Sequence, residues 1–138
     1  MTARLRAAPG LRARLPGALL AFTGITGLML AAAALVFPRE TAASLGFEAD
    51  TQGMIEIRAT FAGFFAGCSA FLLAAWRDPA LRRAGLLFLA LGAGGAAAAR
   101  LVGFVAEGSM PPALILVLAY EIAVAGLAVF ALRDRPLP

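Results

Sequence analysis

Four long stretches of mostly apolar residues constrain this chain more than any other feature. They cover about 17–37, 56–76, 84–106 and 112–132 of the 138 residues. Each is long enough to cross a hydrocarbon core of ~30 Å as a helix rising 1.5 Å per residue. The sequence therefore predicts an all-α, four-helix transmembrane bundle. A basic tail, 1–16, precedes it, and a short C-terminal tail, 133–138, follows it.

Composition supports a membrane protein and excludes several other classes. Hydrophobic residues make up 62% of the chain, and the mean hydropathy is +0.88. The net charge of +4 comes from 12 arginines against 8 acidic residues. These arginines lie at the ends of apolar stretches and form no patch interleaved with aromatic residues, so nucleic acid is not an expected partner.

The chain has no histidine and one cysteine, Cys68, and these absences limit its chemistry. Imidazole ligands for haem or metal, a Ser-His-Asp triad and an intrachain disulfide are all ruled out. We expect no cofactor and no metal site.

The first apolar stretch permits two interpretations. A basic segment followed by apolar residues is also typical of a secretory signal peptide, and small residues near Ala42 leave cleavage open. However, the stretch exceeds the usual apolar region of about 7–15 residues in such signals. A retained helix is the favoured prediction, followed by a solvated connector over 38–55.

The distribution of arginine predicts the orientation in the membrane. Four arginines lie in the N-terminal tail, three in the turn 77–83 and two after Leu132, whereas the loop 38–55 is net acidic and the turn 107–111 has no arginine. By the positive-inside rule, both termini and the middle turn are cytoplasmic. We expect a multi-pass protein of the cell inner (plasma) membrane.

Charged residues in or beside the last three spans form the candidate site. A charge near the bilayer centre costs roughly 2.5–3.5 kcal/mol, so it normally faces a partner or a cavity. Arg100 and Glu121 lie at similar depth on consecutive antiparallel helices, which predicts an ion pair. Under the predicted topology, the charged residues all fall in the external half of the bilayer, which suggests an outward-facing pocket. The candidates for ligand binding or structural pairing are Glu56, Arg58, Arg100, Glu107 and Glu121.

Glycines mark the predicted helix contacts. The second span contains Gly63-Phe-Phe-Ala-Gly67, a G-x-x-x-G pattern that lets helices approach closely. At 100° per residue, Glu56 shares the face of these glycines and Arg58 lies almost opposite. Gly92 and Gly103 share one face of the third span with Arg100. These faces are candidate contacts within the bundle or in a homo-oligomer.

Several of these motifs resemble a known family. Glu56-Ile-Arg58-Ala-Thr-Phe-Ala-Gly63, then Arg100-Leu-Val-Gly103-Phe-Val-Ala-Glu107-Gly108, then Pro111 and Glu121, resemble the bacterial membrane family termed domain of unknown function 4345. The similarity covers roughly 17–132. It implies a four-span bundle with a retained first helix, and it implies no known activity. Two departures from the family pattern are conservative: Ala62 stands in place of a Gly, and Glu107 where Asp is commoner.

Three functions remain open on the sequence. The first is a small membrane protein whose charged pocket binds a lipid headgroup or a small anionic ligand. The second is a proton-coupled transporter or channel subunit acting as an oligomer, with Glu121 carrying the proton. The third is a membrane enzyme, with Glu121 as acid or base and Arg100 as oxyanion clamp. A purely structural role for the ion pair is an equal alternative to all three.

Overall fold

The computed structural model describes residues 11–46 and 48–133, and within them it contains helices and turns but no strand. The helices are α1 (Leu11–Val36), α2 (Pro38–Ser44), α3 (Thr51–Ile57), α4 (Phe65–Arg77), α5 (Arg82–Glu107) and α6 (Pro112–Arg133). A π-helical segment, Arg58–Phe64, joins α3 to α4 without a break. Four helices, Arg14–Val36, Thr51–Arg77, Arg82–Glu107 and Pro112–Arg133, are long and apolar enough to cross a membrane. The all-α prediction with four spans is confirmed.

Two predicted boundaries differ from the structure. Helix α1 begins at Leu11, so the predicted boundary at Gly17 lies inside a helix. The predicted connector 38–55 is wrong as a continuous loop, because it contains α2 and the start of α3. Proline fixes the backbone angle that a first helical turn requires, which explains why α2 begins at Pro38. The tails 1–10 and 134–138 lie outside the described residues.

Asp50 starts the second span. Its side-chain Oδ1 accepts a hydrogen bond of 2.8 Å from the backbone N–H of Gly53, in the usual manner of a helix N-cap. This cap satisfies an N–H group that would otherwise lack a partner at the membrane surface. The span consequently begins at Thr51, five residues before the predicted start.

The π-helical segment changes which residues share a face of the second span. A π-turn bonds i to i+5, one residue more than an α-turn. Ile57 and Ala62 are five residues apart, and both are buried in one apolar cluster with Ala34 and Ala42. In an unbroken α-helix these two positions would diverge by ~140°. The extra residue therefore lets both side chains reach the same cluster.

The described residues form two compact units. One contains residues 20–81, and the other contains 82–133 together with the beginning of α1. In the first unit, α1 lies against α4 at Gly24 and Gly27. A β-carbon at Gly24 would lie 2.9 Å from Leu73 Cδ2, and one at Gly27 would collide with Ser69 Oγ. A larger residue at either position would force the α4 side chains to shift.

The second unit is built on the antiparallel pair α5 and α6. The turn between them contains Gly108, whose φ of 60° is left-handed and favours glycine after a helix C-terminus. Ala97 and Phe104 of α5 pack with Leu118 of α6 in one apolar cluster. This packing brings the third and fourth spans together along the faces that carry the charges.

Candidate functional site

Arg100 lies on the α5 face that packs against α6. It follows the buried Ala97 by three residues and precedes the buried Phe104 by four, which is the spacing of one helical face. Glu121 lies in the buried stripe of α6, three residues after Leu118 and three before Val124. Because both residues occupy the contact faces of neighbouring helices, their side chains meet.

The two side chains form a bidentate ion pair. Arg100 Nη2 donates to Glu121 Oε1 at 2.8 Å, and Arg100 Nε donates to Glu121 Oε2 at 3.1 Å. Two parallel charge-assisted bonds of this kind fix the plane of the guanidinium as well as its position. The ion pair predicted from the sequence is therefore present in this geometry.

The pair is asymmetric in its exposure. The side chain of Glu121 is 11% exposed, whereas that of Arg100 is 26% exposed. A guanidinium carries N–H donors on each of its nitrogens, and Glu121 takes only Nε and one N–H of Nη2. No described residue accepts a hydrogen bond from Nη1. The carboxylate thus holds one edge of Arg100 and leaves the opposite edge without a protein acceptor.

The depth of the pair follows from its distance to the helix ends. Arg100 lies seven residues before Glu107, the last residue of α5, or ~10 Å along the axis. Glu121 lies nine residues after Pro112, the first residue of α6, or ~14 Å along the axis. Arg100 is therefore closer to the α5–α6 turn than to the start of α5, whereas Glu121 lies near the middle of α6.

The other predicted charges are not brought into a pair. Glu107 is exposed at the end of α5, and Glu56 and Arg58 are exposed on the second span. Within the described part of the chain, none of these three side chains makes a recorded hydrogen bond or ion pair. Their assignment to a ligand site remains a prediction from the sequence.

The four glycines predicted to support helix packing have open surroundings. A β-carbon at Gly67, Gly92 or Gly103 would meet no described atom within 4 Å outside its own helical turn. At Gly63 the nearest such atom is the Arg58 carbonyl oxygen of the same helix, at 3.7 Å. Their packing role stays a prediction, since no described residue packs against these four positions.

The close helix contact in residues 20–81 uses glycines that the sequence reasoning did not select. Gly24 and Gly27 lie three residues apart in Thr-Gly-Ile-Thr-Gly-Leu and face Ser69 and Leu73. The signal was present, because Gly-x-x-Gly also places two small residues on one helix face. The sequence reasoning selected the G-x-x-x-G spacing of Gly63 and Gly67 in the second span and did not consider this pair in the first.

Comparison with known proteins gives one informative result. A family model described as Domain of unknown function (DUF4345) matches residues 17–132. The match covers all four spans and includes every residue of the candidate site, which confirms the resemblance found in the sequence. Searches of curated proteins and of solved structures returned no match.

Proposed function

Because the chain belongs to the family described as Domain of unknown function (DUF4345), which names no activity, we propose a function from the site itself. The protein is a small multi-pass membrane protein whose Arg100–Glu121 site binds a lipid headgroup or a small anionic ligand. The bidentate pair carries this proposal, since it presents the free edge of a fixed guanidinium. Glu107 near the same turn, and Glu56 and Arg58 on the second span, are proposed to contribute charge to the same process.

The chemistry of the free edge favours an oxygen acceptor with more than one lone pair. Guanidinium groups match the geometry of phosphate and carboxylate oxygens better than a point charge does. Glu121 holds the group in place before a ligand arrives, so little side-chain entropy is lost on binding.

The positive-inside rule supplies the orientation in this proposal. The described turn 77–83 is basic and the turn 107–111 is not, so we place the turn 107–111, and with it the site, on the external side of a cell inner membrane. Both termini are then cytoplasmic. A ligand would reach Arg100 from the external half of the bilayer.

Ligand-dependent thermal stability tests the proposal. Inorganic phosphate and glycerol 3-phosphate serve as soluble probes of the phosphate chemistry, added to the full chain in a neutral detergent. A ligand that binds only the folded state raises the melting temperature in proportion to RT ln(1 + [L]/Kd). We expect a rise for the wild-type chain and none for Arg100→Lys, which keeps the charge but loses the planar edge.

Arg133→Lys is the matched control, because it makes the same substitution at an exposed arginine at the far end of α6. It should retain the full rise. No shift in the wild-type chain with either probe, or an equal shift in Arg100→Lys, would refute anion binding at this site. If the Arg100–Glu121 pair is purely structural, the melting temperatures of the wild-type chain and of both variants should not change when the probes are added.

A second function has one observation in its favour. Glu121 is buried within a candidate membrane span, and such carboxylates often carry protons in transporters. Four spans per chain would then require an oligomer. Proton flux into liposomes containing the reconstituted chain, lost in Glu121→Gln, would support this alternative, and wild-type flux equal to that of empty liposomes would exclude it.

A further inference from the structure

Arg58 is a cation in a membrane-spanning helix with no anionic partner among the described residues. It is exposed, and it lies seven residues after Thr51, or ~10 Å along the span. A charge at such a position normally pairs with another group, or extends toward the membrane surface. The Arg58 guanidinium is therefore open to groups outside the described chain.

Glu56 does not fill this role. It lies two residues away in the same helix, and residues at i and i+2 do not face each other. The structure records no ion pair between them, and both side chains are exposed. Glu56 and Arg58 therefore do not neutralise each other.

The π-helical segment gives Arg58 a specific neighbour along the helix. Because a π-turn closes over five residues, Arg58 and Gly63 occupy adjacent positions on successive turns, and a β-carbon at Gly63 would be 3.7 Å from the backbone carbonyl oxygen of Arg58. This corrects the sequence prediction, in which Glu56 shared the face of Gly63 and Gly67. The π-segment exchanges the acidic residue for the basic one on that face.

Below Gly63 the same face stays small and open. Gly67 follows by four residues, and a β-carbon there would meet nothing within 4 Å. Ala70 and Ala74 continue the face at helical spacing, and both are exposed. A single unpaired cation therefore lies above a flat, apolar strip that runs toward the opposite end of the span.

We propose that Arg58 binds the phosphate of an anionic phospholipid whose acyl chain lies along Gly63, Gly67, Ala70 and Ala74. The guanidinium matches phosphate oxygens in a bidentate manner, and an arginine stem can extend from this depth toward the headgroup layer. A net negative headgroup is favoured over a zwitterionic one, whose own cation competes with Arg58 for the phosphate. This inference goes beyond the supporting charge that the proposed function gives Arg58. Its test reads lipid retention at Arg58, whereas the proposed function is tested by phosphate binding at the Arg100–Glu121 pair, so failure of one is distinguishable from failure of the other.

Native mass spectrometry of the full chain in a neutral detergent tests the inference. Phosphatidylglycerol and phosphatidylcholine of equal chain length are titrated separately, and the number of lipids retained per chain is counted. We expect Arg58→Gln to weaken retention of phosphatidylglycerol about tenfold, the effect of losing one charged bidentate contact. Retention of phosphatidylglycerol by Arg58→Lys should lie between that of the wild-type chain and that of Arg58→Gln, because lysine keeps the positive charge and loses the bidentate geometry of the guanidinium.

Arg39→Gln is the matched control. It removes the same charge from an exposed residue of α2, which precedes the same span, and it should retain lipid as the wild-type chain does. Equal phosphatidylglycerol binding in Arg58→Gln and the wild-type chain would overturn the inference. So would equal retention of the two lipids by the wild-type chain, or a dimer that Arg58→Gln dissociates, which would assign the strip to a second copy.

Discussion

Arg100 and Glu121 are 21 residues apart in sequence, and their side chains form two hydrogen bonds of 2.8 and 3.1 Å across the α5–α6 contact. Both lie within otherwise apolar helices, where an uncompensated charge is costly. The pair satisfies Glu121 on its buried side and leaves part of Arg100 accessible. One interaction thus joins two neighbouring spans and leaves a donor edge of Arg100 that no described residue uses.

The pair should contribute measurably to stability. Breaking a buried pair costs about 3–5 kcal/mol, and the partial exposure of Arg100 lowers our expectation to about 1–3 kcal/mol for Arg100→Gln or Glu121→Gln. The double variant should recover part of that loss, since it leaves no unpaired charge. Unfolding of all four proteins in mixed detergent measures the coupling, and strictly additive losses would contradict the pairing.

Glycines with crowded and open surroundings should respond differently to alanine. Gly24→Ala places a methyl group 2.9 Å from Leu73 and should cost about 1–3 kcal/mol, as overpacking does. Gly92→Ala has no neighbour to displace and should be neutral or slightly stabilising, because alanine is about 1 kcal/mol more favourable than glycine in a helix interior. Thermal unfolding of both variants checks this, and an equal loss in each would count against the α1–α4 contact.

The π-helical segment predicts an unusual tolerance to deletion. Removing Ala59 should let the segment become α-helical while Ile57 and Ala62 become i and i+4, still on one face. We expect the melting temperature to stay close to that of the wild-type chain. Removing Ala66, in the regular part of α4, instead rotates Ser69 and Leu72 away from their buried positions by ~100° and should destabilise the fold strongly. Similar losses in the two deletions would contradict the π-helical assignment.

Cysteine labelling tests the proposed orientation. In a Cys68→Ser background, Ser109→Cys places a thiol in the α5–α6 turn and Ala80→Cys places one in the turn before α5, both at exposed positions. A membrane-impermeant maleimide added to intact cells should label Ser109→Cys and spare Ala80→Cys, as the positive-inside rule predicts. The reverse pattern would invert the topology and place the Arg100–Glu121 site in the cytoplasmic half.

Much of the fold and the central pair could be predicted from the sequence by itself. Span length and apolar composition determined the number of membrane helices, because the thickness of the hydrocarbon core and the helical rise per residue together set how many apolar residues one span needs. The short turn after Glu107 made α5 and α6 antiparallel neighbours, so equal depth sufficed to match Arg100 with Glu121. The motifs around these residues were enough to identify the family.

Tertiary structure decided how the second span presents its residues and which glycines lie in a contact. Sequence periodicity assumes 100° per residue, and the additional residue in the π-segment is enough to move Arg58 toward the face of Gly63 and Glu56 away from it. A glycine pattern likewise shows that a face is small but not whether a helix occupies it, so only the structure separates Gly24 from Gly67. Both properties depend on how side chains distant in the sequence pack together, as Ile57 and Ala62 do with Ala34 and Ala42, and local spacing does not contain that information.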